Sequence, residues 1–249
     1  MAETATFWGL SFSPWTEKAR WAVEHHRLPY RYREHTPLLG EPALRLRARK
    51  RPAGRPASVP LLIDAHGVWT ESDAIARHAE AVGSGAPLFS AEHDPAIDRW
   101  ASRSDEALRS VRALVLAAMN ADTQAQVELV PPLVPGPLRA PMRGISAMGI
   151  GFLARKYDTD PSAIAAHTAT VSRFCEAVEA SLGDGEHLLG DALSYADIVA
   201  AVVINGILPL ERTFADMPAT RRTWTRPELA ERFAALVAWR DRLYAAHRP

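Results

Sequence analysis

The segment Ser11-Phe12-Ser13-Pro14-Trp15 joins a short β-prone run, Thr4 to Trp8, to a stretch with apolar residues at Trp15, Ala19, Ala22 and Val23. That spacing is helical. Proline suits a first helical position, so Ser13 stands at the N-cap. A side chain there lies beside unpaired backbone N–H groups and the positive helix end. Such a place stabilises an anion, a thiolate included; it equally suits a serine that only caps its helix. Glu71-Ser72 opens a second helical run, Ser72 to Val82. Ser72 reads as its N-cap, with Asp73 in the first turn. The helix end and the Ser72 hydroxyl would also hold a carboxylate, and Glu71 an ammonium, which together fit an amino-acid head group. Val59-Pro60 precedes the apolar run Leu61 to Ile63. A cis bond, found at about 5–6% of X–Pro positions, would turn the Val59 backbone outward, where a peptide-like ligand could pair with it.

Other reactive residue types form weaker patterns. Ser194 and Asp197 have the capping-box spacing, with Leu193 and Ile198 as the flanking hydrophobic staple. That motif organises the start of a buried helix. The nine histidines show no metal-ligand spacing, and His25 and His26 point to different sides of a helix, so no metal site is expected. The single cysteine, Cys175, falls on an apolar stripe and reads as an inert buried thiol. Arg45 to Arg55 is rich in basic residues; it reads as a solvated face, or as a surface that attracts carboxylates.

The elements around these residues change character along the chain. The first ninety residues run strand (Thr4 to Trp8), helix (Pro14 to His26), strand (Tyr30 to His35), irregular, strand, strand, helix, with the turn Asp64-Ala65-His66-Gly67 making a hairpin. A linker rich in Gly, Ser and Pro spans Gly83 to His93. Only helices follow. One starts near Asp94 and carries Ile97, Trp100, Leu108, Val111, Val115 and Met119. Another opens at Asp160-Pro161 and closes at Gly183. A third starts at Ser194, and a fourth runs from about Glu228 to Ala246. Between the first two, Pro131, Pro132, Pro135, Pro137 and Pro141 are expected to prevent a regular helix over 121–141. A long insertion of this kind is expected to cover a cleft. The reading is therefore an α/β domain over 1–83 and an all-helical domain over 94–249.

Composition narrows the function classes. Of 249 residues, 47% are hydrophobic and 23% charged, which suits a globular protein with a sizeable core. Twenty-nine basic residues balance 29 acidic ones, so no global electrostatic grip on nucleic acid or an anionic membrane is expected. One cysteine excludes an internal disulfide framework and fits a reducing compartment. The N-terminus does not read as a secretory signal, and no apolar run approaches the roughly 20 residues that span a bilayer. The cytoplasm is the expected location.

The order of these motifs resembles the cytosolic glutathione transferase family. Ser13-Pro14-Trp15-Thr16-Glu17-Lys18-Ala19-Arg20 is similar to the active-site helix of the serine- and cysteine-type classes, such as tau, zeta and omega. The likeness is good over 4–83 and looser over 160–210. It implies a thioredoxin-like N-terminal domain, an all-α C-terminal domain and a homodimer. It implies glutathione as co-substrate and a small electrophile as acceptor, hence a role in detoxification. By the resemblance, Ser13 activates the glutathione thiol, Val59 beside a cis Pro60 pairs with the cysteinyl backbone, and Glu71 and Ser72 hold the γ-glutamyl end. Position 13 holds no cysteine, which argues against thiol exchange of the omega kind. Lys50 and Arg55 are candidates for the basic residue that usually precedes the Val-Pro pair. The alternative is a non-catalytic binding or assembly protein that keeps the same fold.

Overall fold

The computed structural model describes residues 4–36, 40–54, 57–131, 134–156 and 159–248. Arg55 and Pro132 lie outside the described residues. Contacts divide the chain into two compact units. The first comprises Met1–Ala101, Leu189–Val202 and Tyr244–Pro249; the second comprises Ser102–Leu188 and Val203–Leu243.

The first unit is built on β1 (Ala5–Gly9), α1 (Pro14–His25), β2 (Tyr30–Glu34), α2 (Glu41–Arg47), β3 (Leu61–Asp64), β4 (Gly67–Thr70) and α3 (Ser72–Val82). The sheet order is β2-β1-β3-β4. β1 runs parallel to β2 and antiparallel to β3, and β3 is antiparallel to β4. Side chains alternate across the sheet. Ala5, Phe7 and Leu62 pack on one face against Ala19 and Val23 of α1 and Ile75 and Ala79 of α3. Leu61 packs with Leu44 of α2 and Ala48 in a separate cluster. Helix α2 falls where the sequence predicts an irregular segment. Its only buried residue is Leu44, so it has almost no apolar stripe to betray it. Asp64 fixes the two-residue turn by accepting the N–H groups of His66 at 2.8 Å and Gly67 at 3.1 Å. Its other carboxylate oxygen meets His78 Nε2 at 2.6 Å, and the Trp69 ring stacks on that imidazole with centroids 3.6 Å apart. The hairpin is thereby tied to α3.

The remaining helices are α4 (Asp94–Ala121), α5 (Thr123–Glu128), α6 (Gly136–Arg139), α7 (Arg143–Lys156), α8 (Pro161–Leu182), α9 (Tyr195–Asn205), α10 (Pro218–Trp224), α11 (Pro227–Arg232) and α12 (Ala234–His247). The prolines of 121–141 break the chain into short helices and do not abolish helix: Pro137 falls within the first turn of α6, a position that tolerates it. The Asp122 carboxylate caps α5 through Gln124 N and Ala125 N, both at 3.0 Å. Glu128 reaches across to the start of α10, accepting from Ala219 N at 3.0 Å and Thr220 N at 2.7 Å. The expected single helix from Glu228 to Ala246 is two helices. Phe233 separates them with a non-helical backbone, φ −109° and ψ 36°, and is buried. Local apolar periodicity continues through that break and so does not reveal it.

Ser194 and Asp197 make half of a capping box. Asp197 accepts from the Ser194 N–H and from the Ser194 hydroxyl, both at 2.8 Å. The serine oxygen is thus a donor to the carboxylate. Asp197 is fully buried and Ser194 nearly so.

Candidate functional site

The strand register decides which candidates meet. Trp8 is opposite Leu61, and Leu61 is opposite Thr70. The C-terminal end of β1, the N-terminal end of β3 and the C-terminal end of β4 therefore share one end of the sheet. Ser13 ends the four-residue loop after the first, Val59-Pro60 precedes the second, and Glu71-Ser72 follows the third. The Val59-Pro60 bond is cis. Val59 itself lies outside the paired register, which begins at Leu61. Two helix N-termini, those of α1 and α3, start at this end. Each carries a positive partial charge and unpaired N–H groups, so the place favours anionic groups.

Ser13 is the N-cap residue of α1, with φ −79° and ψ 125°, yet its side chain makes no capping hydrogen bond. The loop before it is held by other groups. Leu10 N donates to Thr16 Oγ1 at 3.1 Å, Ser11 N to Glu34 Oε1 at 3.0 Å, and Ser13 N to Leu10 O at 2.8 Å. Tyr32 Oη donates to the other Glu34 oxygen at 2.9 Å; burial and Glu34 raise the Tyr32 pKa, so it remains a protonated donor. The Ser13 hydroxyl is thus positioned by its neighbours without being spent on the helix. Thr16 and Glu34 escaped the sequence reading. Their role depends on a fold-back within the loop and on a partner 23 residues away, and neither leaves a local pattern.

At α3 the structure corrects the reading of the cap. Glu71 is the N-cap residue and Ser72, which is buried, is the first helical residue. Glu71 has φ 74° and ψ 138°, an unfavourable backbone for a residue with a side chain. Such conformations cost on the order of 1–3 kcal/mol and gather at functional sites. Glutamate is no marker for positive φ, so only the structure exposes this.

A cleft of about 410 Å³ runs along the β4 edge, with Lys50, Pro52, Trp69, Thr70, Glu71 and Ala74 among its walls. Of the candidate residues, Glu71 and Lys50 line it; Ser13, Val59, Pro60 and Ser72 do not. Lys50 and Glu71 give it one cation and one carboxylate, a pattern suited to a zwitterionic group. Cys175 is buried, and burial together with Glu179 and Glu176 pushes its thiol up to about 12, so it is no nucleophile at neutral pH. Among the described residues, no group of three or more His, Cys, Asp or Glu side chains could hold a metal ion, and no helix is long and apolar enough to cross a membrane.

The family profile of the glutathione S-transferase N-terminal domain matches residues 12–82, and that of the C-terminal domain matches residues 161–242. No curated protein sequence matches the chain. Solved structures resemble it throughout. A beta-etherase from Sphingobium sp. strain SYK-6 is 19% identical, with 98% of this chain and 96% of that one covered and a TM-score of 0.65. The theta class glutathione S-transferase of Xanthomonas axonopodis pv. citri, solved with glutathione bound, is 23% identical over 100% and 95%, with a TM-score of 0.58. A Ceriporiopsis subvermispora glutathione S-transferase in complex with glutathione is 20% identical over 95% and 98%, with a TM-score of 0.58. At these identities the likeness is one of fold. With both family domains matched in order over most of its length, and a four-stranded mixed sheet followed by helices, the chain belongs to the glutathione S-transferase family.

Proposed function

We propose that the protein is a serine-type glutathione transferase in which Ser13 activates the glutathione thiol for attack on a small electrophile. The observation that carries this reading is Ser13 at the start of a 12-residue helix with its hydroxyl unused for capping. That hydroxyl donates a hydrogen bond to the glutathione sulfur, and the α1 N-terminus adds a positive field. Both stabilise the thiolate over the thiol, so more of the nucleophile exists at neutral pH. The proton leaves to solvent, the thiolate attacks the electrophile, and the protein supplies placement. Val59 pairs with the cysteinyl backbone through its own backbone groups; Glu71 takes the γ-glutamyl ammonium and Ser72 its carboxylate. Family membership, and relatives of the same fold solved with glutathione, support glutathione as co-substrate. The cytosol, which keeps thiols reduced, is the fitting compartment.

A glutathione titration that also follows thiolate absorbance against pH tests this directly. Saturable binding with a bound thiol pKa below that of free glutathione is expected. Binding without that shift would make the chain a binding protein instead of an enzyme.

Glu71→Ala separates anchoring from activation. It removes a charge-assisted hydrogen bond remote from sulfur, so glutathione should bind about 10-fold or more weakly, while the bound thiol pKa moves little. An unchanged dissociation constant would remove Glu71 from the site. A homodimer is also proposed, by analogy with the family. Sedimentation at micromolar concentration should give twice the 27.3 kDa of one chain, and a clean monomer would discard the idea.

A further inference from the structure

We infer that Arg248 is a positioning residue for the chemistry at Ser13: by neutralising Glu17, it keeps a carboxylate's charge off an anion held at the start of α1. The inference rests on the reading of Ser13 given above. Arg248 follows the last turn of α12, and its N–H donates to Tyr244 O at 2.9 Å, extending that helix. Tyr244 packs on Trp21 of α1 with ring centroids 4.5 Å apart. Both side chains are buried, so the last turn of α12 is seated on α1. From there the Arg248 guanidinium grips Glu17 with a fork, Nε to Oε1 at 3.0 Å and Nη2 to Oε2 at 3.2 Å. Its Nη1 also contacts Glu24. The two acids are seven residues apart on one face of α1. Glu24 holds a second cation, Arg20 at 2.9 Å, whereas the fork on Glu17 comes from Arg248.

Glu17 sits at the end of the first turn of α1, and its N–H donates to Ser13 O at 2.9 Å. Glu17 thus stands one helical turn from Ser13, close enough for its charge to act on an anion held at the start of α1. The other charged or titratable groups about this end of the helix are Lys18 and Arg20 on α1, Glu34 and Tyr32 on β2, and Glu71 at the head of α3. A thiolate beside Ser13 would feel a bare Glu17, one helical turn along α1, as a like charge, which raises a thiol pKa by about 0.5–1.5 units. Paired with Arg248, Glu17 contributes almost no net field.

The test uses a reporter that needs no glutathione. In a Ser13→Cys variant, the introduced thiol is titrated by its thiolate absorbance; the native Cys175, pushed up to about 12, stays silent. Adding Arg248→Gln should raise the reporter pKa by about 0.5–1.5 units, a roughly 3- to 30-fold loss of thiolate at neutral pH. Adding Glu17→Gln instead should lower it, because Arg20 and Arg248 then face a single carboxylate, Glu24, and leave one net positive charge. Combining both should restore the starting value, Arg248→Lys should hold it, and 1 M salt should shrink the differences. Opposite signs for the two single changes are the mark of charge. No shift with Glu17→Gln, or a rise with Arg248→Gln that Glu17→Gln leaves in place, would overturn the inference and leave Arg248 as a structural clamp. If Arg248→Gln fails to fold, the Glu17→Gln result still decides. A parallel glutathione titration of the unmodified chain separates the two readings: no binding there removes the transferase proposal while the reporter result stands.

Discussion

Replacing Ser13 by alanine is expected to raise the pKa of the bound glutathione thiol by about 1–2 units and to slow the chemical step about 10- to 150-fold. The effect follows from one hydrogen bond that strengthens as charge forms on sulfur, worth roughly 1.5–3 kcal/mol. Glutathione affinity should change less, since the γ-glutamyl anchor at Glu71 and Ser72 is untouched. The fold supplies a second signature. A serine that caps a helix costs about 1 kcal/mol of stability when changed to alanine. Ser13 makes no such bond, so Ser13→Ala should leave the unfolding midpoint essentially where it was. Loss of reactivity without loss of stability is the expected pair of results. If the bound thiol pKa does not move, Ser13 is not the donor. The backbone of the loop offers little in its place, because the N–H groups of Leu10, Ser11 and Ser13 are already bonded to Thr16, Glu34 and Leu10.

The largest effect on stability is expected from Asp197→Ala. Asp197 is fully buried and accepts from both the N–H and the hydroxyl of Ser194. Removing the carboxylate strands two buried donors and uncaps α9, whose residues Ile198 to Ile204 are themselves all buried. Each stranded donor costs about 1–3 kcal/mol, so a loss of roughly 2–5 kcal/mol is expected. For a chain of this size each kcal/mol shifts the thermal midpoint by about 2–4 °C, giving a fall of roughly 5–20 °C. Asp197→Asn keeps one acceptor in place and should lose less. Thermal melts of the two variants check this; a midpoint within 2 °C of the parent for Asp197→Ala would show that the box is dispensable.

Much of the local structure was legible in the residues alone. The Pro14 helix start, the α3 span, the hairpin at Asp64 and the Asp160-Pro161 to Gly183 helix were all readable, because caps, turns and apolar spacing act within a few residues. The motif order also pointed to the family. What a short window cannot carry is pairing between distant segments. The alignment of Trp8, Leu61 and Thr70 that gathers Ser13, Val59-Pro60 and Glu71 at one sheet end is a register, and register is settled by packing across strands. The positive φ of Glu71 contradicts its residue type and exists because the β4-to-α3 turn is held from both sides by the sheet and by the packing of α3. Helix α2 has one buried residue, and the break between α11 and α12 falls at the buried Phe233; neither disturbs local periodicity. Glu34 on the Ser11 N–H and Arg248 on Glu17 join residues 23 and 231 positions apart. The sequence by itself therefore determined which groups were available and which helices present them. The tertiary structure decided which groups meet, because contacts closed over long chain separations depend on the packing of the whole unit and not on any local preference.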